Sequence, residues 1–144
     1  MNAKIIETLE KNAVKPTPVR MLVLEQMIVQ QRSLSLSDLE NLLYPADRIT
    51  IYRTLQTFVK NGIAHIIEHQ HTGSVYALCP EGCTHGTHID DHPHFFCEKC
   101  GKIICTNDFS YKLFQHNAAS KYEVHKTEMT ISGLCPECKK QTLQ

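Results

Sequence analysis

The sequence predicts an α+β protein, a winged helix-turn-helix followed by a small α/β domain, on three observations. Apolar residues recur at helical spacing in four segments before Asn61; a β-type hairpin follows; and two Cys-x-x-Cys pairs bracket the C-terminal part. The 144 residues, 42% of them apolar, suffice for one modest core or two small ones, so two small domains are expected rather than a large catalytic scaffold.

The elements follow in order. Ile5, Ile6 and Leu9 share one face of a first helix over residues 3–11. Pro16 and Pro18 break that pattern before a second apolar helix from about Val19 to Gln30. Ser35 with Asp38 forms a capping-box pattern for a short helix that turns Leu39, Leu42 and Leu43 inward, and Tyr44-Pro45 stops it. From about Asp47 to Lys60, Ile51, Leu55, Phe58 and Val59 form an apolar stripe, while Arg48, Tyr52, Arg53, Gln56 and Lys60 occupy the rest of the surface. Asn61-Gly62 closes this helix. IAHIIEH and SVYALC around Gly73 read as a hairpin, which completes the winged helix. The polar stretch from residue 79 to 94 reads as a linker. Beyond it, strand character over Lys102 to Thr106 and Tyr122 to Ser132 flanks a helix from about Asp108 to Ser120 with Phe109, Leu113 and Phe114 inward.

Seven cysteines in a chain without an apolar signal segment point to a reducing compartment, with metal or redox chemistry rather than disulfides. A cytoplasmic protein is expected, and no apolar run is long enough to span a membrane. Cys97 with Cys100, and Cys135 with Cys138, lie 34 residues apart. Each pair offers two thiolates from one tight turn, and two such turns complete a tetrahedral structural zinc site. A redox dithiol is the competing reading, but that motif normally occurs once, at a helix start after a strand.

Seven of the nine histidines, His65, His69, His71, His85, His88, His92 and His94, fall within thirty residues, together with Cys79, Cys83, Asp90 and Asp91. For any single one of them a solvated linker is a sufficient account, but the concentration suits metal binding. His116 and His125 read as ordinary surface residues. His92 and His94, two apart in extended chain, present both imidazoles on one side, and Cys79 at the end of the hairpin is the natural thiolate to join them. Mixed sulfur and nitrogen ligation favours zinc over magnesium, calcium or manganese.

HExxH, the HxE followed by PCxxC of zinc deaminases, a Ser-His-Asp arrangement and a Gly-rich phosphate loop are all absent, so an enzyme is not expected. Fifteen basic against fifteen acidic side chains exclude indiscriminate polyanion binding. Residues 1–65 carry eight Lys/Arg against six Asp/Glu, which locates any basic patch there.

The order of winged helix, ITIYRTLQTFVKNGI, His-rich hinge, HFFCEKCG and GLCPEC resembles the ferric uptake regulator superfamily over nearly the whole chain. The resemblance implies a winged-helix DNA-binding domain over 1–80, a His/Cys-rich hinge over 81–94 and a dimerisation domain over 95–144 with the structural zinc. TPVR and IYRTL are similar to that family's DNA-contacting segments. They imply Tyr52 and Arg53 at the major groove, Lys15 and Arg20 at the backbone or minor groove, and Thr50 as a further DNA-binding residue.

Where iron sensors of the family have HHDH before the first CxxC, this chain has Asp91-His92-Pro93-His94; their Glu after CG is Cys105, and a ligand His is Thr127. VYALC instead resembles the zinc uptake regulator branch, which implies a sensory site of Cys79, His92, His94 and His65. The insertion supplies Cys83, His85, His88, Asp90 and Asp91, which with Cys105 can build a further metal site; Cys83, His85, His88 or Asp90 can also replace His65. The expected protein is a homodimeric, zinc-responsive repressor of metal-homeostasis genes acting on a double-stranded operator, with no membrane partner. An iron- or peroxide-responsive regulator, with iron or manganese at the regulatory site, is the alternative within the family, and a zinc-stabilised protein-interaction module the alternative outside it.

Overall fold

The structure, a computed structural model, describes residues 1–70, 73–78, 93–105, 121–123 and 129–143. The chain divides into two compact units, Met1–Gly86 and Thr87–Gln144. The expected helix over 108–120 lies outside the described residues.

The first unit comprises α1 (Asn2–Lys11), α2 (Pro18–Gln30), α3 (Leu36–Leu42), α4 (Arg48–Lys60), β1 (Ala64–His69) and β2 (Gly73–Leu78). α2, α3 and α4 each start at a side-chain cap, whereas α1 follows Met1 without one. Thr17 precedes Pro18 at the first helical position of α2, and its side chain accepts from the Arg20 N–H. Ser35 and Asp38 form the expected reciprocal box at 2.9 and 3.0 Å. The Asp47 carboxylate caps α4 through the Thr50 N–H at 3.0 Å, so Asp47 lies just outside the helix. Gly62, with φ of 74°, takes the left-handed conformation that ends α4 and starts β1.

The predicted stripes converge on one core: Ile5 and Leu9 of α1, Val23, Leu24 and Met27 of α2, Leu39 of α3 with Leu43 just after it, and Ile51, Leu55 and Phe58 of α4; Leu42, expected inward, is instead exposed. β1 and β2 pair antiparallel, from Ala64 opposite Leu78 to His69 opposite Gly73. Leu34 adds a bridge to Tyr76, with N–H to carbonyl distances of 2.9 and 2.8 Å in the two directions. That bridge covers the outer edge of β2 with the segment between α2 and α3, a pairing that hydrophobic periodicity does not signal because it involves one residue.

In the second unit β3 (His94–Cys97) is central, antiparallel to β4 (Ile103–Cys105) and parallel to β5 (Thr130–Gly133). Two expectations are corrected here. His94, read as the end of the linker, opens β3, because the Phe95-Phe96 pair fits a strand flanked on both sides. Of the strand expected over Tyr122 to Ser132, residues 121 and 122 form a turn and bend, residues 124–128 lie outside the described residues, and the described strand is Thr130–Gly133. A short helix, α5 (Pro136–Thr142), follows, which the sequence reading treated only as a cysteine turn.

Candidate metal centre and nucleic-acid interface

The two Cys-x-x-Cys turns meet at one end of the three-stranded sheet. Cys97 is the last residue of β3, and the chain turns back through Gly101, whose N–H donates to the Cys97 carbonyl at 2.9 Å. Gly101 has φ of 73° with open space where a Cβ would stand, so its requirement is backbone conformation, not room. On the other side Cys135 is the N-cap of α5, Pro136 its first residue and Cys138 its next ligand-bearing position. The parallel β3–β5 pairing and the Glu98 N–H bond to the Gly133 carbonyl at 2.8 Å bring these turns together.

All four sulfurs consequently lie within 4.8 Å of one another. Cys97, Cys135 and Cys138 are buried and Cys100 is exposed. The Cys100 and Cys135 sulfurs are 3.9 Å apart, and the Cys135 N–H donates to the Cys97 sulfur at 3.3 Å. Backbone N–H donors, first that of Cys100 and then that of Cys135, lower the Cys97 thiol to about 6. Cys138 goes the other way, pushed up to about 12 by burial and by hydrogen bonding to its sulfur neighbours. Four crowded thiols cannot all shed their protons unless a cation sits among them, and four sulfurs at these separations suit a tetrahedral zinc ion.

Lys102 Nζ and Glu137 Oε2 pair at 3.0 Å, joining the residue that follows the first turn to one within the second. Glu137, followed by the neighbouring Cys100 and Cys135 sulfurs, raises the Lys102 ammonium above its ordinary value. The sequence reading missed this clasp; the signal is an opposite-charge pair placed next to ligands on separate turns.

In the first unit, α4 presents two faces. Ile51, Leu55 and Phe58 are buried, while Arg48, Ile49, Thr50, Tyr52, Arg53 and Lys60 are exposed. The helix contains no acidic residue. Arg48 pairs with Glu40 of α3, and the Thr50 hydroxyl donates to Asp47 at 3.1 Å. Thr50 therefore contributes to the cap as well as to the exposed face. Tyr76 of β2 lies against this helix: burial and then the neighbouring Tyr52 raise its hydroxyl above the ordinary value, opposed by a hydrogen bond with Gln56. Lys15 is exposed before α2, and its carbonyl accepts from Arg20 Nη1 at 2.8 Å, which fixes the half-buried Arg20 across the start of that helix.

Of the expected sensory residues, His65 is buried on β1 in the first unit and His94 is buried at the start of β3 in the second. Cys79, His92, Cys83, His85, His88, Asp90 and Asp91 lie outside the described residues, and only the backbone of Cys105, on β4, is described. Among the described residues the structure thus assembles the four-cysteine cluster and positions Lys15, Arg20, Thr50, Tyr52 and Arg53 on the first unit.

A family model described as the ferric uptake regulator family matches residues 11–132. The chain is 28% identical to the peroxide operon regulator of Bacillus subtilis, over 94% of this chain and 92% of that one. It is 29% identical to a peroxide-responsive repressor of Staphylococcus epidermidis, over 94% and 89%. Among solved structures it resembles a zinc uptake regulator complexed with zinc and DNA, with a TM-score of 0.70, 26% identity and coverage of 99% of this chain and 95% of that one. The ferric uptake regulator of Vibrio cholerae shares the fold, with a TM-score of 0.62 at 24% identity over 90% and 98%.

Proposed function

The chain belongs to the ferric uptake regulator family of metal-responsive transcriptional regulators, and from that premise we propose that it is a homodimeric repressor that binds operator DNA in response to zinc. The observation that carries the reading is the acid-free exposed face of α4, with Tyr52 and Arg53 opposite Ile51, Leu55 and Phe58. A helix with one anchored apolar face and one basic polar face suits the major groove, and a twofold dimer suits a pseudo-palindromic operator. The four-cysteine cluster is its structural zinc site, closed by four protein ligands and therefore without an open position for substrate. A regulator of this kind, acting in the cytoplasm and not as an enzyme, fits this arrangement.

Zinc is assigned as the effector from donor chemistry. Cys79, His92, His94 and His65 offer one thiolate and three imidazoles, a set that suits zinc, and the resemblance to a zinc- and DNA-bound uptake regulator supports the assignment. The insertion residues Cys83, His85, His88, Asp90 and Asp91, with Cys105, are proposed as a further or substitute site. Metal held at the hinge acts by population shift: it favours the orientation that engages DNA only as far as it binds that orientation more tightly, and DNA tightens metal by the same factor.

Titrating operator DNA at fixed salt, with and without zinc, tests this. The wild type should gain affinity with zinc by about 5- to 150-fold. Cys79→Ser or His94→Ala should abolish the gain while keeping the four-cysteine zinc and the dimer. An equal response in all three proteins would move the sensor to the insertion and Cys105. The curated relatives favour a second reading, a peroxide-responsive repressor; its mark would be DNA binding by the iron- or manganese-loaded protein that peroxide abolishes.

A further inference from the structure

Ile49 is out of place on a solvated helix. It is 59% exposed at the second position of α4, and the Asp47–Thr50 cap that starts the helix does not use its side chain. A β-branched residue at an exposed helical position is a poor choice for helix stability alone. It stands three and four residues before Tyr52 and Arg53 and seven before Gln56, so all four share one stripe along the helix. Ile51, Leu55 and Phe58, each fully buried, lie on the opposite side.

The surroundings decide what such an isoleucine meets. Arg48 stands beside it, paired with Glu40 of α3, and Arg53 one turn further on is exposed; α4 itself carries no carboxylate beyond the Asp47 cap, which suits a polyanion and not a generic apolar partner. Recognition helices touch base edges with their N-terminal residues, where Ile49 stands. The apolar feature of the major-groove floor is the thymine 5-methyl group.

We propose that Ile49 is a specificity-determining residue that packs on the 5-methyl group of a thymine in each half-site, beside the contacts of Tyr52 and Arg53. The inference rests on the DNA-binding reading above and adds to it a base-specific, purely apolar contact.

The test uses zinc-loaded, full-length protein and the duplex that wild type enriches from a randomised library. Each thymine is replaced in turn by deoxyuridine, which removes the methyl and leaves the hydrogen-bonding pattern unchanged. One position per half-site should weaken wild-type binding by about fourfold, the equivalent of burying one methyl group. Ile49→Ala should bind the thymine and uracil forms alike, and Ile49→Val should show an intermediate difference. A wild type indifferent to every uracil substitution overturns the proposal, as does Ile49→Ala retaining the wild-type difference. Loss of the methyl effect in Tyr52→Ala but not in Ile49→Ala overturns it too, by assigning the contact to Tyr52. If no duplex is enriched at all, the regulator reading fails and this inference with it, whereas enrichment without a methyl effect removes the inference alone.

Discussion

Phe58 and Cys97 are both completely buried, and they hold their units by different means. Phe58 sits in a cluster of aliphatic side chains drawn from α1 to α4 and the hairpin, where each contact is weak and the sum is large. Cys97 sits with Cys135 and Cys138, against the partly buried Phe95 and Ile104. There, four sulfurs within 4.8 Å of one another are placed so that directional bonds to one ion would replace many weak contacts. The contrast shows how one short chain can carry two folded units: the first gains its stability from area, and the second, among its described residues, offers one point, the four-cysteine cluster, at which a metal would supply it.

The largest effect expected from that difference follows removal of the point. Cys135→Ser, or a strong zinc chelator, should unfold the second unit while the helical signal of the first persists. Structural zinc contributes about 10 to 16 kcal/mol in isolated zinc peptides. Hydrogen exchange resolved along the chain checks this: protection should be lost at residues 93–105 and 129–143 and kept in α2 and α4. Loss of protection in both units at once would break the distinction.

Phe58→Ala is the converse, with an expected cost of about 3 to 5 kcal/mol from lost burial and the cavity left behind. Denaturant unfolding should show that cost in the first unit, and zinc stoichiometry should stay at the wild-type value for the four-cysteine site.

Acid should separate the units more gently. Zinc ligands must be thiolates, so falling pH sets protons against the metal and its affinity must fall with pH. In the first unit, burial by itself raises the Asp38 carboxyl, but the Ser35 N–H and hydroxyl and the nearby Arg32 outweigh it and hold it below 3.8. A carboxyl depressed on folding contributes stability above its unfolded value, and that contribution is lost only as pH falls through the lower, folded value. Zinc release followed by a metal indicator should therefore precede loss of the helical signal as pH is lowered from about 7. Asp38→Asn should remove the capping-box share of the stability at neutral pH.

The smallest effect belongs to Lys102. Its pairing with Glu137 is partly exposed, so Lys102→Met should leave the fold intact and slightly speed zinc transfer to a chelator, most visibly at low salt. A large loss of zinc would make the clasp a principal support of the cluster instead of an accessory.

Much of this was legible in the sequence because it is written in local chemistry. Ser35 with Asp38 marks a helix start through hydrogen bonds that span three residues. The α4 stripe is read from a period of 3.6. The spacing within each Cys-x-x-Cys pair already makes a two-thiolate turn. Other features depend on partners distant along the chain. The Leu34–Tyr76 bridge is one residue long, and the strand at His94–Cys97 has, besides its hairpin partner β4, the sequence-remote neighbour β5, which turns an apparent linker end into the centre of a sheet. The sequence alone thus determined the four helices of the first unit, its hairpin and the two Cys-x-x-Cys turns. Only tertiary structure decided that the Cys97 and Cys135 turns converge within 4.8 Å, that Lys102 reaches Glu137, and that Ile49 stays in solvent. Periodicity and capping act over a few residues, whereas convergence and burial are set by what the rest of the chain packs against.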